Sequence, residues 1–348
     1  MSASYDGVTC LPVTGVGEVR AGDDLAALLA AAAPLRDGDV LVVTSKVVSK
    51  AEGRVVTAPK EEALAGETDR VVAVRGGTSI VRTHHGLVMA AAGIDASNTE
   101  PGTLVLLPAD PDASARALRE RVARDGGPNV AVLVTDTAGR AWRNGQTDIA
   151  VGAAGIEVLE DHAGREDGYG NVLAVTAPAL ADEVAGAADL VKGKLRRAPA
   201  AVVRGLAALV LPPDEHGPGA AALVRDEAHD MFGLGAREAV LHAVRRREPR
   251  GFGAPSPAQT LAGALTEGLA GAAAGEPGCD VVVADDGTAV TVDLPGATDA
   301  ASGHALGRLE ERITTVAYAH GWHAAGAVPR VADATGARVV LRFVAATP

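Results

Sequence analysis

Short runs of valine, leucine and alanine recur through the first two hundred residues, at 40–44, 71–74, 104–107, 130–135, 172–176 and 201–203. Helical stretches separate several of them. Helices are expected near 113–124 and 179–191, and over GDDLAALLAAAAPL, which has acids in its first turn, a Leu25/Leu28/Leu29 stripe and an exit at Pro34. Alternation of this kind excludes an all-helical chain and predicts an α/β fold. The spacing is too irregular to specify a doubly wound sheet. Apolar residues make up 47% of the chain but aromatic ones only 2%, so the core must be built from aliphatic side chains.

The pattern changes towards the C-terminus. After a helix near 237–247, REPRGFGAPSPAQ carries three prolines and two glycines and reads as a linker. Beyond it come a helical TLAGALTEGLAGAAAG, a hairpin in CDVVVADDGTAVTVDL that turns at Asp-Asp-Gly, a second helix in GHALGRLEERITTVAYAHGW and a last strand in ARVVLRFVA. Three segments follow from this: residues 8–236 as the main domain, 237–257 as helix and linker, and 258–348 as a small α/β accessory domain. His304, His320, Trp322 and His323 in the last segment read as packing and surface residues.

Lys and Arg number 32 against 44 Asp and Glu, a net charge of −12. That balance argues against nucleic acid or an acidic membrane as partner, while leaving room for a local basic site. Cys10 and Cys279 fit neither a metal spacing nor a disulfide framework, which points to a reducing compartment. The start, MSASYDGVTC, lacks a basic stretch followed by an apolar one, and no apolar run reaches the roughly 20 residues of a spanning helix. A cytoplasmic location is expected.

The chemistry concentrates where apolar runs end. In GDVLVVTSKVVSKAEGR a buried strand discharges into Thr44, Ser45 and Lys46, with Lys50 four residues on. THHGLVMAAAGIDASNTEPG leads to Asp95 and Asn98. VAVLVTDTAGRAWRNGQTD leads to Asp136 and Thr137, then Arg140 and Arg143, and GREDGYGN sets Arg165, Glu166, Asp167 and Tyr169 in a glycine-rich loop. Hard cations take carboxylate, hydroxyl and phosphate oxygens, and lysine serves phosphate as a point charge. Asp95 and Asp136 are therefore expected to hold metal, and Ser45 and Lys50 to hold phosphate. Taken singly, Asp after a strand most often closes a turn or caps a helix, and a lone lysine is most often solvated. The coincidence of several such ends favours a site. His84 and His85 are poor chelators, because neighbours on a strand face opposite ways. Recognised phosphate signatures are absent: TGVGEVRAG has Gly15 and Gly17, but Arg20 where a dinucleotide fingerprint needs its third glycine.

Taken together, VLVVTSKVVSKAEGR, HHGLVMAAAGIDASNTEPG, VLVTDTAGRAWRNGQTDIAVGAAGI and AAVVRGL resemble the coenzyme F420-0:L-glutamate ligase family, the gamma-glutamyl ligases of coenzyme F420 biosynthesis. The similarity runs from about Val8 to Gly235. It implies an unusual mixed α/β ligase fold forming an intertwined homodimer. It also implies GTP-dependent addition of L-glutamate to coenzyme F420-0 through an acyl phosphate, then of further gamma-linked glutamates. Mn²⁺ or Mg²⁺ is implied as the metal, with K⁺ as a helper. By this resemblance Val16, Gly17, Glu18 and Val19 lie along GTP, with Ser45, Lys46, Lys50 and Asn98. Asp95, Asp136 and Thr137 match the metal ligands, and Lys50 and Asp136 match the catalytic positions. The stretch VKGKLRRAP departs from the pattern by placing Lys194 where some members carry an acid. Two other readings use the same residues: a metal-dependent phosphotransferase, and a non-catalytic nucleotide-binding regulator. Some relatives carry a flavin-binding nitroreductase domain at the C-terminus. Residues 258–348 are too few for one, so a truncated remnant is one reading of them.

Overall fold

The computed structural model describes residues 7–97, 99–227, 230, 232–245, 252, 254–269, 280–294, 300–325, 330–333 and 336–345. Two compact units divide the chain, Met1–Val224 and Arg225–Pro348. The architecture is mixed α/β in both.

A five-stranded sheet organises the first unit. Its order is β1 (Thr9–Val13), β10 (Ala200–Arg204), β2 (Val40–Thr44), β8 (Ala131–Arg140) and β9 (Arg143–Ala154). Only β2 and β8 pair in parallel; the other neighbours are antiparallel. Alternate residues of a strand face opposite sides, and here both sides are covered. Leu41 and Val43 of β2 pack with α1 (Leu25–Ala32) and α4 (Pro111–Val122). Val40 and Val42 pack with α5 (Leu180–Lys192). Burial on both faces is why β2 is a continuous apolar run rather than an alternating one.

Smaller elements decorate this sandwich. α2 (Ser45–Ala51) follows β2 without a loop. β3 (Val55–Val56) pairs with β7 (Leu104–Val105). α3 (Lys60–Glu67) leads into a meander of β4 (Thr68–Arg75), β5 (Thr78–Thr83) and β6 (Val88–Ala90).

Three expectations change. The run 130–135 continues as strand to Arg140, so Asp136 and Thr137 lie inside β8 and not beyond its end. Polar side chains are tolerated there because pairing with β2 stops at Thr44–Thr135, which leaves β8 an edge strand on that side. The run 172–176 forms no strand. It has one bridge, Glu166 to Val172, and Val175 is 92% exposed, so no sheet takes it up. The run 104–107 pairs only over Leu104–Val105, after which Leu106 N–H donates to the Arg54 carbonyl.

The second unit contains α6 (Ala236–Arg245), α7 (Ala258–Leu269), β11 (Asp280–Val283), β12 (Ala289–Leu294), α8 (Ala300–Ala319), β13 (Trp322–Ala324), β14 (Arg330–Asp333) and β15 (Gly336–Ala345). β11 and β12 form the hairpin read from the sequence, and Asp286 accepts from the Thr288 N–H at its turn. The sheet order is β11-β12-β15-β13, with β14 on β15. Its aliphatic core includes Leu261, Leu265, Val290, Leu309 and Ile313, joined by Phe343. Cys279 lies outside the described residues. Among the described residues no helix is long and apolar enough to cross a membrane.

Candidate active site

Because α2 starts directly after β2, its first turn projects from the end of the sheet. Ser45 is buried there, and its hydroxyl donates to Asp136 Oδ1 on β8 at 2.9 Å. Lys46 reaches the other way. Its Nζ stands 2.7 Å from Asp95 Oδ2 and donates to the Ser97 carbonyl at 2.7 Å. Asp95 is held by a bridge to Val105 and closes a turn by accepting from the Ser97 N–H at 2.6 Å. One turn along α2, Lys50 pairs with Glu18 Oε1 at 2.5 Å. Glu18 belongs to the loop after β1, which is tied to α2 by Gly22 N–H on the Ala51 carbonyl. In that loop Val19 is buried, Val16 packs on the core, and Gly17 is exposed.

The first unit thus brings Glu18, Ser45, Lys46, Lys50, Asp95 and Asp136 to one end of the sheet. Asn98 lies outside the described residues. Arg140 and Arg143 face each other across the turn of the β8–β9 hairpin, and Arg140 donates to the Asn144 carbonyl. His84 and His85 bond different backbone carbonyls, Gly66 and Pro108.

Strand alternation separates Thr137 from Asp136. Asp136 faces α2, whereas Thr135 and Thr137 face α5. A buried network that sequence reasoning missed lies there. Asp148 of β9 stands opposite Thr137 and accepts from the Thr137 hydroxyl and the Thr135 hydroxyl, each at 2.9 Å. Lys192, the last residue of α5, donates to Asp148 Oδ2 at 2.6 Å and to Thr135 Oγ1 at 2.8 Å. Both Asp148 and Lys192 are only 4% exposed. After Lys192 the chain turns at Gly193 (φ 58°), and Lys194 comes to 3.5 Å from Asp95 Oδ2.

The carboxylates differ in charge balance. Burial pulls Asp95 upward, but hydrogen bonds from Lys46 and Ser97 and the Lys46 charge hold it at about 2. Asp148 has Lys192. Asp136 receives only neutral donors, the Ser45 hydroxyl and the Thr137 N–H. Desolvation, helped by the nearby charges of Asp148 and Asp95, pushes it to about 6. A half-buried carboxylate short of positive charge, with a second carboxylate nearby and hydroxyls to hand, suits a hard divalent cation. Among the described residues no three His, Cys, Asp or Glu side chains are grouped to hold an ion by themselves, so oxygens from a bound substrate would have to complete the shell.

Comparison with known proteins identifies the family. Residues 15–205 match the family model described as F420-0:Gamma-glutamyl ligase. The chain is 42% identical to the coenzyme F420:L-glutamate ligase of Methanopyrus kandleri over 245 residues, covering 64% of this chain and 96% of that protein. It is 41% identical to the Archaeoglobus fulgidus enzyme of the same name, covering 57% of this chain and 88% of the relative. With the Methanothermobacter thermautotrophicus protein the identity is 36%, covering 57% and 89%. The match falls on the unit that carries the lysine and carboxylate cluster, and by it the chain belongs to the F420-0:gamma-glutamyl ligase family.

Proposed function

We propose that this protein adds L-glutamate to coenzyme F420-0 at the expense of GTP, and then adds gamma-linked glutamates to the product. The observation that carries the reading is the meeting of Ser45, Lys46 and Lys50 with Asp95 and Asp136 at one sheet end, within the segment that matches the ligase family.

A carboxylate is a poor acyl donor. In the proposed reaction an oxygen of the substrate carboxylate attacks the γ-phosphorus of GTP, a P–O bond forms, and the bond to GDP breaks. The glutamate amine then attacks the acyl carbon, the C–O bond breaks, and inorganic phosphate leaves as the amine gives up its proton. Such transfers depend on position and on neutralising charge. Lys46 exchanges Asp95 for a phosphate oxygen, and Lys50 exchanges Glu18 for the transferring phosphoryl group. The loop of Val16, Gly17, Glu18 and Val19 lies beside α2 and would line the nucleotide, a role the family resemblance also implies for Asn98. Asp95 and Asp136 are the residues that would hold Mn²⁺ or Mg²⁺; Thr137, on the opposite face of β8, could add its oxygen only to an ion seated beyond the open edge of that strand. The ion supplies positive charge to the phosphate oxygens, with K⁺ as a helper. Lys194 adds a further ammonium next to Asp95. A homodimer belongs to this reading as what the family resemblance implies, in the cytoplasm expected from the sequence.

The test is incubation with GTP, Mn²⁺, L-glutamate and F420-0, followed by mass analysis. Added glutamyl units, with GDP and phosphate released in step, are expected. Phosphate transfer that ignores glutamate would instead identify a phosphotransferase, and GTP binding without turnover a regulatory protein.

A further inference from the structure

The Asp148–Lys192 pair is not needed to fill the core, where aliphatic side chains serve throughout the sheet. Its geometry has a chemical result. A threonine hydroxyl has one proton and two lone pairs. Thr137 spends its proton on Asp148 Oδ1, and the residue is exposed, so at the open edge of β8 its oxygen offers a ligand lone pairs alone. Thr135 behaves differently: it donates to Asp148 Oδ2 and accepts from Lys192, so its hydroxyl is used up inside the network.

The geometry points to Asp148, anchored by Lys192, as a positioning residue that makes the Thr137 oxygen an acceptor only. The group that oxygen receives carries positive charge or an N–H. Two sources fit in this enzyme: a divalent cation at the open edge of β8, or the ammonium of the incoming glutamate. A phosphate oxygen is disfavoured, because two acceptors repel. The inference rests on the proposed ligase reading for the identity of both candidates. Lys192 sets the direction of the arrangement. With Lys192 and Thr135 both donating at Oδ2, the oxygen at Oδ1 is left for Thr137.

Asp148→Asn tests this with almost no change of volume. The amide oxygen stays with Lys192 and Thr135, so the amide NH₂ faces Thr137 and turns its hydroxyl round. Mn²⁺ affinity, read by electron paramagnetic resonance with a non-hydrolysable GTP analogue, and KM for glutamate are measured in wild type, Asp148→Asn, Thr137→Val and the double variant. Partners of this kind typically change affinity by about 10–100-fold. We expect a loss of that size in one readout, which names the group, and no further loss when Asp148→Asn is added to Thr137→Val. Losses that multiply in the double variant, or no loss in either readout, overturn the role of Asp148. Should Asp148→Asn not fold, Asp148→Asn with Lys192→Gln removes both buried charges while keeping a donor towards residue 148, and the same two outcomes apply. Wild type that ligates glutamate yet shows no such dependence on Thr137→Val refutes this inference alone. Wild type that neither binds Mn²⁺ nor ligates refutes the ligase reading beneath it as well.

Discussion

Asp136 carries the clearest conflict between stability and use. Its carboxyl is raised from the ordinary range near 4 to about 6 by burial and by Asp148 and Asp95. The folded chain therefore takes up this proton at higher pH than the unfolded chain does. Its ionised form is penalised in the fold, so stability falls as pH rises from about 4 to about 6 and remains lower above that. Asp136→Asn cannot ionise. It should stabilise the protein by about 1–3 kcal/mol at pH 7.5, and by almost nothing at pH 4, while abolishing most ligation. Thermal denaturation of both proteins at the two pH values checks this. Equal differences at the two would show that Asp136 is not held in the unfavourable state. Lys46 and Ser97 explain why Asp95 behaves oppositely: an ammonium group and two donors of Ser97 hold its charged form despite burial.

Among the elements, β9 depends on one glycine for its fit against α4. A Cβ built on Gly152 would lie 2.2 Å from the Pro111 carbonyl oxygen, a backbone atom that cannot swing aside. The next residue is fixed too, since Ala153 N–H donates to Asp112 Oδ1 at 2.8 Å. Gly152→Ala should cost about 1–3 kcal/mol, seen as a lower denaturant midpoint with an unchanged slope. A neutral result would mean that α4 is free to shift. Such contacts are invisible in a sequence, and the readable part of this one has a physical boundary. β2 is readable because both its faces are buried, and the terminal hairpin because Asp-Asp-Gly demands a turn. The β8–β9 hairpin is not. It turns at Ala141 and Trp142, with Trp142 at φ 63°, a conformation that favours glycine or asparagine. Without a turn signal, nothing pairs Thr137 with Asp148, and the Lys192 network goes unseen. Ser45, Lys46, Lys50, Asp95 and Asp136 were readable because each closes or follows an apolar run. The start of α2 at Ser45 was not, for Thr44 makes no side-chain cap there.

At the scale of the molecule, the lysine and carboxylate cluster and the family match both fall before Val224. A chain ending at Val224 should fold, sediment as a dimer and add glutamate within about threefold of the full-length rate, because its core clusters draw on no residue beyond that point. Loss of ligation in a folded fragment would assign the second unit a direct part in the reaction. The chain has two tryptophans, and the fold has put them in opposite circumstances. Trp142 is 88% exposed at the hairpin turn of the first unit, whereas Trp322 is 3% exposed and donates to the Ser256 carbonyl within the second. A water-borne quencher will therefore silence one emitter and spare the other. With aromatic residues so scarce, a single cuvette can follow events at the hairpin and the integrity of the C-terminal unit as two separate optical signals, with no label attached.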